Sequence, residues 1–275
     1  MLTYLSTLRF RNYYAPCTWA LFVQTLSRLY LIFFSGSARW EDILLEILAL
    51  IPARAGSKRV KDKNVSLLGG KPLIAYTVEA ALASKLISRV VVSTDSKQIA
   101  NISKECGAEA PFIRPESISQ DDSTEMDFFE HALEWFRDHE GYVPDLIVQL
   151  YPTSPFRKAE TIDKAIKEIQ RYPDAHSLRS VTLCKEHPYK MWVIENSQLK
   201  PFVKGKDRNT HTRSYHLLPT VYIQNASIYI TKPSTIKNTG TPIGDIVIPF
   251  PMGERESIDI NTHLDLQFAE MVLTE

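Results

Sequence analysis

The chain lacks both common phosphate-binding signatures, GxxxxGK[ST] and GxGxxG, which excludes the two most familiar sequence routes to a nucleotide site. Cysteine is scarce: Cys17, Cys106 and Cys184 are the only three in 275 residues, far apart and without metal-ligand spacing. A disulfide framework is therefore excluded, and a reducing compartment, the cytoplasm, is expected. Net charge is also missing, with 32 Lys and Arg against 32 Asp and Glu. No overall basic field draws the chain to nucleic acid, so any phosphate recognition must be local. Internal repeats and low-complexity stretches are absent as well.

No apolar run reaches the roughly 20 residues that span a bilayer. The nearest is Trp19 to Phe34, beside Arg9 and Arg11 and interrupted by Gln24 and Arg28. Three readings of residues 1–42 stay open: a dispensable leader, a weak membrane-surface segment, or an extra packed helix. Residues 43–275, starting near Ile43, read as one domain with enough apolar residues for a full core.

What the chain does have is an apolar strand running into a basic loop. Ile47 to Ile51 is continuously apolar, the pattern of a strand buried on both faces of a parallel sheet. Pro52 withholds an N–H, and the loop carries Arg54, Gly56, Ser57, Lys58, Arg59, Lys61, Lys63 and Asn64. Gly56 allows close backbone approach, successive N–H groups can cradle phosphate oxygens, and Arg54 and Lys63 add charge. A solvated basic loop would account for the charges, though not for their position at a strand's carboxyl edge, where α/β proteins bind ligands.

Strands and helices alternate beyond the loop. Helical patterns cover Leu73 to Ala83, Ser96 to Cys106, Ser123 or Thr124 to about Arg137, Ala159 to Tyr172, and the chain from Thr262. Strand patterns cover Arg89 to Ser93, Ala110 to Ile113, Asp145 to Leu150, His176 to Cys184, Val221 to Tyr229 and Asp245 to Pro249. This rhythm predicts an α/β fold with a doubly wound, mostly parallel sheet. Residues 185–219 lose the helical period and form an excursion rich in Tyr189, Met191 and Trp192.

Taken in order, IPARAGSKRVKDKN (Ile51 to Asn64), GKPLIAYTVEAAL, VVVSTDS, RPESIS, PTSPFR, NASIYI and ESIDINTHLDLQFAE resemble the N-acylneuraminate cytidylyltransferases, the CMP-sialic acid synthetases. The resemblance spans nearly everything after Ile47. It implies a nucleotide-diphospho-sugar transferase fold, CTP as co-substrate, a nine-carbon acidic sugar, Mg²⁺ and a homodimer joined largely through 185–219. Tyr189, Met191 and Trp192 would then be interface anchors, or else the filling of a local minicore. A cytidylyltransferase for a shorter 3-deoxy sugar acid and a non-catalytic CTP-binding subunit are the alternative functions.

By the same resemblance, Arg54 and Lys63 are the catalytic cations on the triphosphate, with Gly56, Ser57, Asn64 and Arg114 on the nucleotide. Arg114 could instead pair with Glu116 or Asp121. Either Ser123 or Thr124 offers a hydroxyl near the base or ribose, and Asp95 is a nucleotide-side residue or a helix cap. Tyr151, Thr153, Ser154, Arg157 and Asn225 are expected at the sugar; Arg157 and Arg213 are carboxylate partners or surface residues. Asp259 and Asn261 stand where relatives carry two aspartates for Mg²⁺, so one ligand has lost its charge. Tyr151 replaces the glutamine of QPTSP and points to a different nonulosonic acid. Ala226 replaces the glycine of NG, which puts the backbone there in question.

Overall fold

The computed structural model describes residues 45–205 and 209–274. The leader 1–42 and the domain start near Ile43 lie outside them. Among the described residues no helix is long and apolar enough to cross a membrane.

Six strands build the central sheet: β1 (Ile47–Pro52), β4 (Arg89–Ser93), β5 (Leu146–Leu150), β6 (Ser177–Leu183), β9 (Tyr222–Thr231) and β10 (Val247–Pro251). Their order is β10-β6-β9-β5-β1-β4, with β9 antiparallel to both neighbours and every other pairing parallel. The mostly parallel sheet is thus as the alternation predicts.

The period of two along β1 divides the core between two faces. Ile47, Ala49 and Ile51 face one cluster, closed by α1 (Leu73–Leu82), α2 (Lys97–Glu105) and α4 (Ala159–Gln170). Leu48 and Leu50 face the other, where Phe128, Phe129, Ala132 and Phe136 of α3 (Glu125–Glu140) cover the sheet. Burial of the whole of β1 on both sides explains why its sequence is apolar without alternation. α6 (His263–Thr274) closes a smaller cluster of Leu68, Leu73, Ile260 and Ala269 over the hairpin of β2 (Leu67–Leu68) and β3 (Lys71–Pro72).

Helix ends follow local chemistry. Thr124, rather than Ser123, caps α3: the Asp127 carboxylate accepts from the Thr124 N–H (2.6 Å) and hydroxyl (3.1 Å). Gly141 at φ 61° ends the same helix. At α6 the Asp265 carboxylate accepts from the Thr262 N–H at 2.7 Å while the Thr262 hydroxyl accepts from the Asp265 N–H at 3.2 Å, a reciprocal cap.

Three local expectations change. Ala110 to Ile113 is not a strand; Glu109 alone forms a bridge, with Val91. Ser96, not Asp95, caps α2, accepting from the Ile99 N–H at 3.3 Å. The excursion contains a hairpin of β7 (Trp192–Glu195) and β8 (Gln198–Pro201), and α5 (Pro233–Thr239) follows β9, neither of which hydrophobic period announced.

Candidate active site

A cleft of about 280 Å³ opens at the carboxyl ends of β1 and β5, roofed by the start of α3. It gathers Arg54, Ser57, Lys63, Asn64, Arg114, Ser123, Thr124, Tyr151 and Thr153 from five separated stretches of chain. Gly56, between the lining residues Arg54 and Ser57, does not itself line the cleft; its φ is 71° and a Cβ would meet no atom within 4 Å, so backbone conformation, not crowding, calls for glycine there.

The basic loop is fixed by its own polar groups. The Asp95 carboxylate accepts from the Ala55 N–H at 2.7 Å, tying the loop to the end of β4. Asn64 is buried and its amide donates to the Arg54 carbonyl at 2.9 Å, so it braces the loop from beneath. Arg54 donates to Asp121 at 2.7 Å across the cleft, and Lys58 also pairs with Asp121. Arg59 and Lys61 stay exposed.

Two other cations line the same space. Lys63 donates to the Ile260 carbonyl at 3.0 Å; burial lowers its pKa, opposed by the carboxylate of Asp259. Arg114 is 4% exposed and donates to the Ser119 hydroxyl at 2.9 Å, not to Glu116 or Asp121. Burial lowers its pKa too. Three cations therefore converge on a partly desolvated cleft, although the chain as a whole is neutral. Such a field favours a polyanion far more than the same charges would in water.

Asp259 and Asn261 flank Ile260, whose N–H donates to the Thr153 carbonyl at 2.8 Å. That bond joins their loop to the end of β5, beside Lys63. The Asn261 amide donates to Asp259 Oδ2 at 2.5 Å, while Asp259 Oδ1 is buried without a partner. A buried, unpaired carboxylate oxygen is costly on its own and suits a cation. Among the described residues no three His, Cys, Asp or Glu side chains are arranged for a metal. The donor set fits Mg²⁺ that takes its remaining oxygens from substrate phosphate and water.

Three residues expected at the sugar are committed elsewhere. Arg157 is fully enclosed, donating to the Ser227 carbonyl (2.6 Å), the Thr77 hydroxyl (2.9 Å) and the Tyr151 carbonyl (3.3 Å); it ties β9 to α1 and does not line the cleft. The Ser154 hydroxyl donates to the Ala226 carbonyl at 3.1 Å. Asn225 accepts from Ser180 at 2.6 Å and donates to Ser257 at 2.9 Å. These side chains brace the wall that carries Tyr151, and none of the three lines the cleft. Arg213 is exposed on the excursion. Ala226 keeps a left-handed backbone at φ 50°, the conformation a glycine would hold freely.

Two cleft acids take roles the sequence did not suggest: Glu125 was passed over, and Asp121, expected only as a partner of Arg114, pairs with Arg54 instead. Acids near a helix N-terminus have an ordinary explanation in the helix dipole, so no sequence signal singled them out.

A profile of the cytidylyltransferase family matches residues 48–229. The chain is 35% identical over 233 residues to a CMP-N,N'-diacetyllegionaminic acid synthase of Legionella pneumophila, covering 83% of this chain and 97% of that protein. It is 32% identical over 224 residues to an N-acylneuraminate cytidylyltransferase of Escherichia coli O18:K1:H7, covering 82% of this chain but 51% of that protein. The chain thus spans about half the length of the E. coli relative. A pseudaminic acid cytidylyltransferase of Campylobacter jejuni is 27% identical, over 82% of this chain and 95% of its own. Among solved structures, a CMP:2-keto-3-deoxy-manno-octonic acid synthetase complexed with CTP shares the fold, with TM-score 0.61, 15% identity, and coverage of 83% and 98%. The sequence match, the doubly wound sheet and the cationic cleft at its carboxyl edge agree: the chain belongs to the cytidylyltransferase family.

Proposed function

We propose that the protein transfers CMP from CTP to the anomeric hydroxyl of a nonulosonic acid, giving the CMP-sugar and pyrophosphate. The observation that carries the reading is the convergence of Arg54, Lys63 and Arg114 on one cleft beside Asp259, whose Oδ1 is buried without a partner. The names of the legionaminate, N-acylneuraminate and pseudaminate relatives support the sugar class.

In this reaction the sugar oxygen bonds to the α-phosphorus, the bond to pyrophosphate breaks, and the hydroxyl proton is released. Chemistry of this kind depends on in-line placement and on neutralising charge, with no covalent enzyme intermediate. Lys63 and Arg54 are the cations that stabilise charge on the α-phosphate and the leaving group. Asp121 sets the direction of the Arg54 guanidinium, and Asp95 fixes the loop whose N–H groups meet phosphate oxygens. Ser57, Ser123 and Thr124 supply hydroxyls along the nucleotide, and Tyr151 and Thr153 border the sugar. Asp259 and Asn261 would hold Mg²⁺, which adds positive charge against the phosphates.

The working unit in this proposal is a homodimer in the cytoplasm. The excursion and the start of β9 expose Trp192, Ile194, Leu199, Phe202, Leu217 and Tyr222, an apolar set larger than scattered surface residues account for. Trp192 also leans on His211, at 5.0 Å between ring centres, so it anchors the hairpin as well as facing outward. Cys106 and Cys184 are both free thiols, which suits a reducing compartment.

The test is pyrophosphate release from CTP and Mg²⁺ with sialic, legionaminic, pseudaminic and 3-deoxy-octulosonic acids. Release with a nine-carbon acid supports the reading. Release with the eight-carbon acid alone transfers the chain to the shorter-sugar enzymes. CTP binding without turnover on any sugar makes it a non-catalytic subunit.

A further inference from the structure

At the inner end of the cleft, the α3 face of the sheet turns from apolar to polar. Leu50 is registered with Gln149, Gln149 with Tyr229, and Tyr229 with Arg179, so the four side chains form one row across β1, β5, β9 and β6. Leu50 lies under the phenylalanines of α3. The other three gather around Glu125, the first residue of that helix.

Glu125 is closely held. Its Oε1 accepts from the Tyr151 hydroxyl at 2.5 Å and from the Gln149 amide at 3.1 Å, and its Oε2 lies 3.6 Å from Nη2 of Arg179. Arg179 is 4% exposed, its guanidinium sits 4.3 Å over the Tyr229 ring, and its Nε has no partner. Of these groups Arg179 is buried while Glu125 and Tyr151 are partly so, and withdrawing the ion pair from water is costly unless close geometry and further hydrogen bonds offset it. The cluster has a wet end, since Glu125 and Tyr151 both line the cleft.

A phenol has one hydrogen to donate and lone pairs that accept. Glu125, an acceptor while ionised, takes that hydrogen. Burial, and then the negative charge of Glu125, raise the Tyr151 pKa, so the phenol keeps its proton. Toward the cleft, Tyr151 Oη is left with lone pairs alone. We propose that Glu125, oriented by Arg179, makes Tyr151 an acceptor-only contact, so that the site selects an acidic sugar presenting a hydroxyl or N–H donor to Oη. A glutamine at this position would both donate and accept, and would discriminate less. Tyr151 is the specificity residue here; Glu125 and Arg179 are positioning residues. The inference rests on the sugar-activating function proposed above.

The experiment uses the full chain with the sugar acid it turns over best, together with that acid's analogues in which single hydroxyls are replaced by hydrogen. Pyrophosphate release gives kcat and KM for sugar and for CTP, and calorimetric CTP binding reports an intact nucleotide half. For the parent protein, one deoxy analogue is expected to lose about tenfold in kcat/KM, the scale of one hydrogen bond to a neutral group. In Tyr151→Phe that preference collapses to within about twofold, through the sugar KM, with CTP affinity unchanged. Glu125→Gln, which can donate to the phenol as well as accept from it, weakens the same preference and leaves the CTP KM alone. If Tyr151→Phe keeps the parent's preference for every analogue, or loses CTP binding along with it, the acceptor assignment is overturned while the proposed reaction stands. If the parent turns over no sugar, the reaction and this inference fall together.

Discussion

Ala226→Gly is expected to stabilise the protein, because residue 226 holds a backbone conformation that alanine resists. Its φ is 50°, in the left-handed region, where a Cβ costs about 1–2 kcal/mol. The position cannot relax cheaply. Its N–H donates to the Tyr229 hydroxyl at 3.1 Å, its carbonyl accepts from Ser154 at 3.1 Å, and the β6–β9 register shifts beside it. Glycine removes the strain but gives the unfolded chain more freedom, which takes back about 0.4–1 kcal/mol. The net gain is therefore about 0.5–1 kcal/mol, or about 1–3 °C in Tm for a domain of this size. Urea titration followed by circular dichroism measures the free energy, and a thermal scan the midpoint. Gly56→Ala is the mirror experiment: at φ 71° with open space around the added Cβ, the same strain less the same unfolded-chain term leaves an expected loss of about 0.5–1 kcal/mol. An Ala226→Gly protein equal to or weaker than the parent, with an unchanged denaturant slope, would refute the strain argument.

Three further outcomes follow from the site. Lys63→Ala should lower kcat on the order of a hundredfold, the scale of losing one preorganised electrostatic contact, and near-normal kcat removes Lys63 from the chemistry. Asn261→Asp adds a second carboxylate beside Asp259 and should lower the Mg²⁺ concentration giving half-maximal activity; an unchanged metal titration shows that the side chain is not a ligand. Arg157→Ala strips partners from the buried Ser227 and Tyr151 carbonyls and should destabilise the fold by about 3 kcal/mol in urea titration. A raised sugar KM at unchanged stability would instead return Arg157 to the sugar.

The parts of the fold legible in sequence were those with one dominant physical cause. β1, β4 and β5 are buried on both faces, so their apolar runs had no competing reading. β2 and β3 were not legible because two residues each are too few for periodicity, and the pair is stabilised by α6 from the far end of the chain. The strand expected at Ala110 to Ile113 fails because Phe112 leaves the ladder to join the aromatic cluster of α3. At the site, position was legible and commitment was not. Arg157, Ser154 and Asn225 have the polar chemistry of ligand contacts, yet their partners lie 70, 72 and 45 residues away, at distances no local pattern encodes.

Those same commitments separate the contacts that hold the basic loop from those that hold the Tyr151 side of the cleft. Asp95, Asn64 and Asp121 each fix a different part of the basic loop: the Ala55 N–H, the Arg54 carbonyl and the Arg54 guanidinium. None of these contacts involves β9 or α3. The sugar side hangs on a separate set, in which Arg157 and Ser154 bind the β9 backbone and Glu125 binds Tyr151. Groups with no shared partners contribute nearly independently. If the proposed reading holds, a substitution at Tyr151 alters which sugar is received while Arg54 and Lys63 keep their geometry. On the proposed reading, phosphate is received at the loop anchored to the carboxyl ends of β1 and β4, and the sugar one strand further on, at β5 and β9.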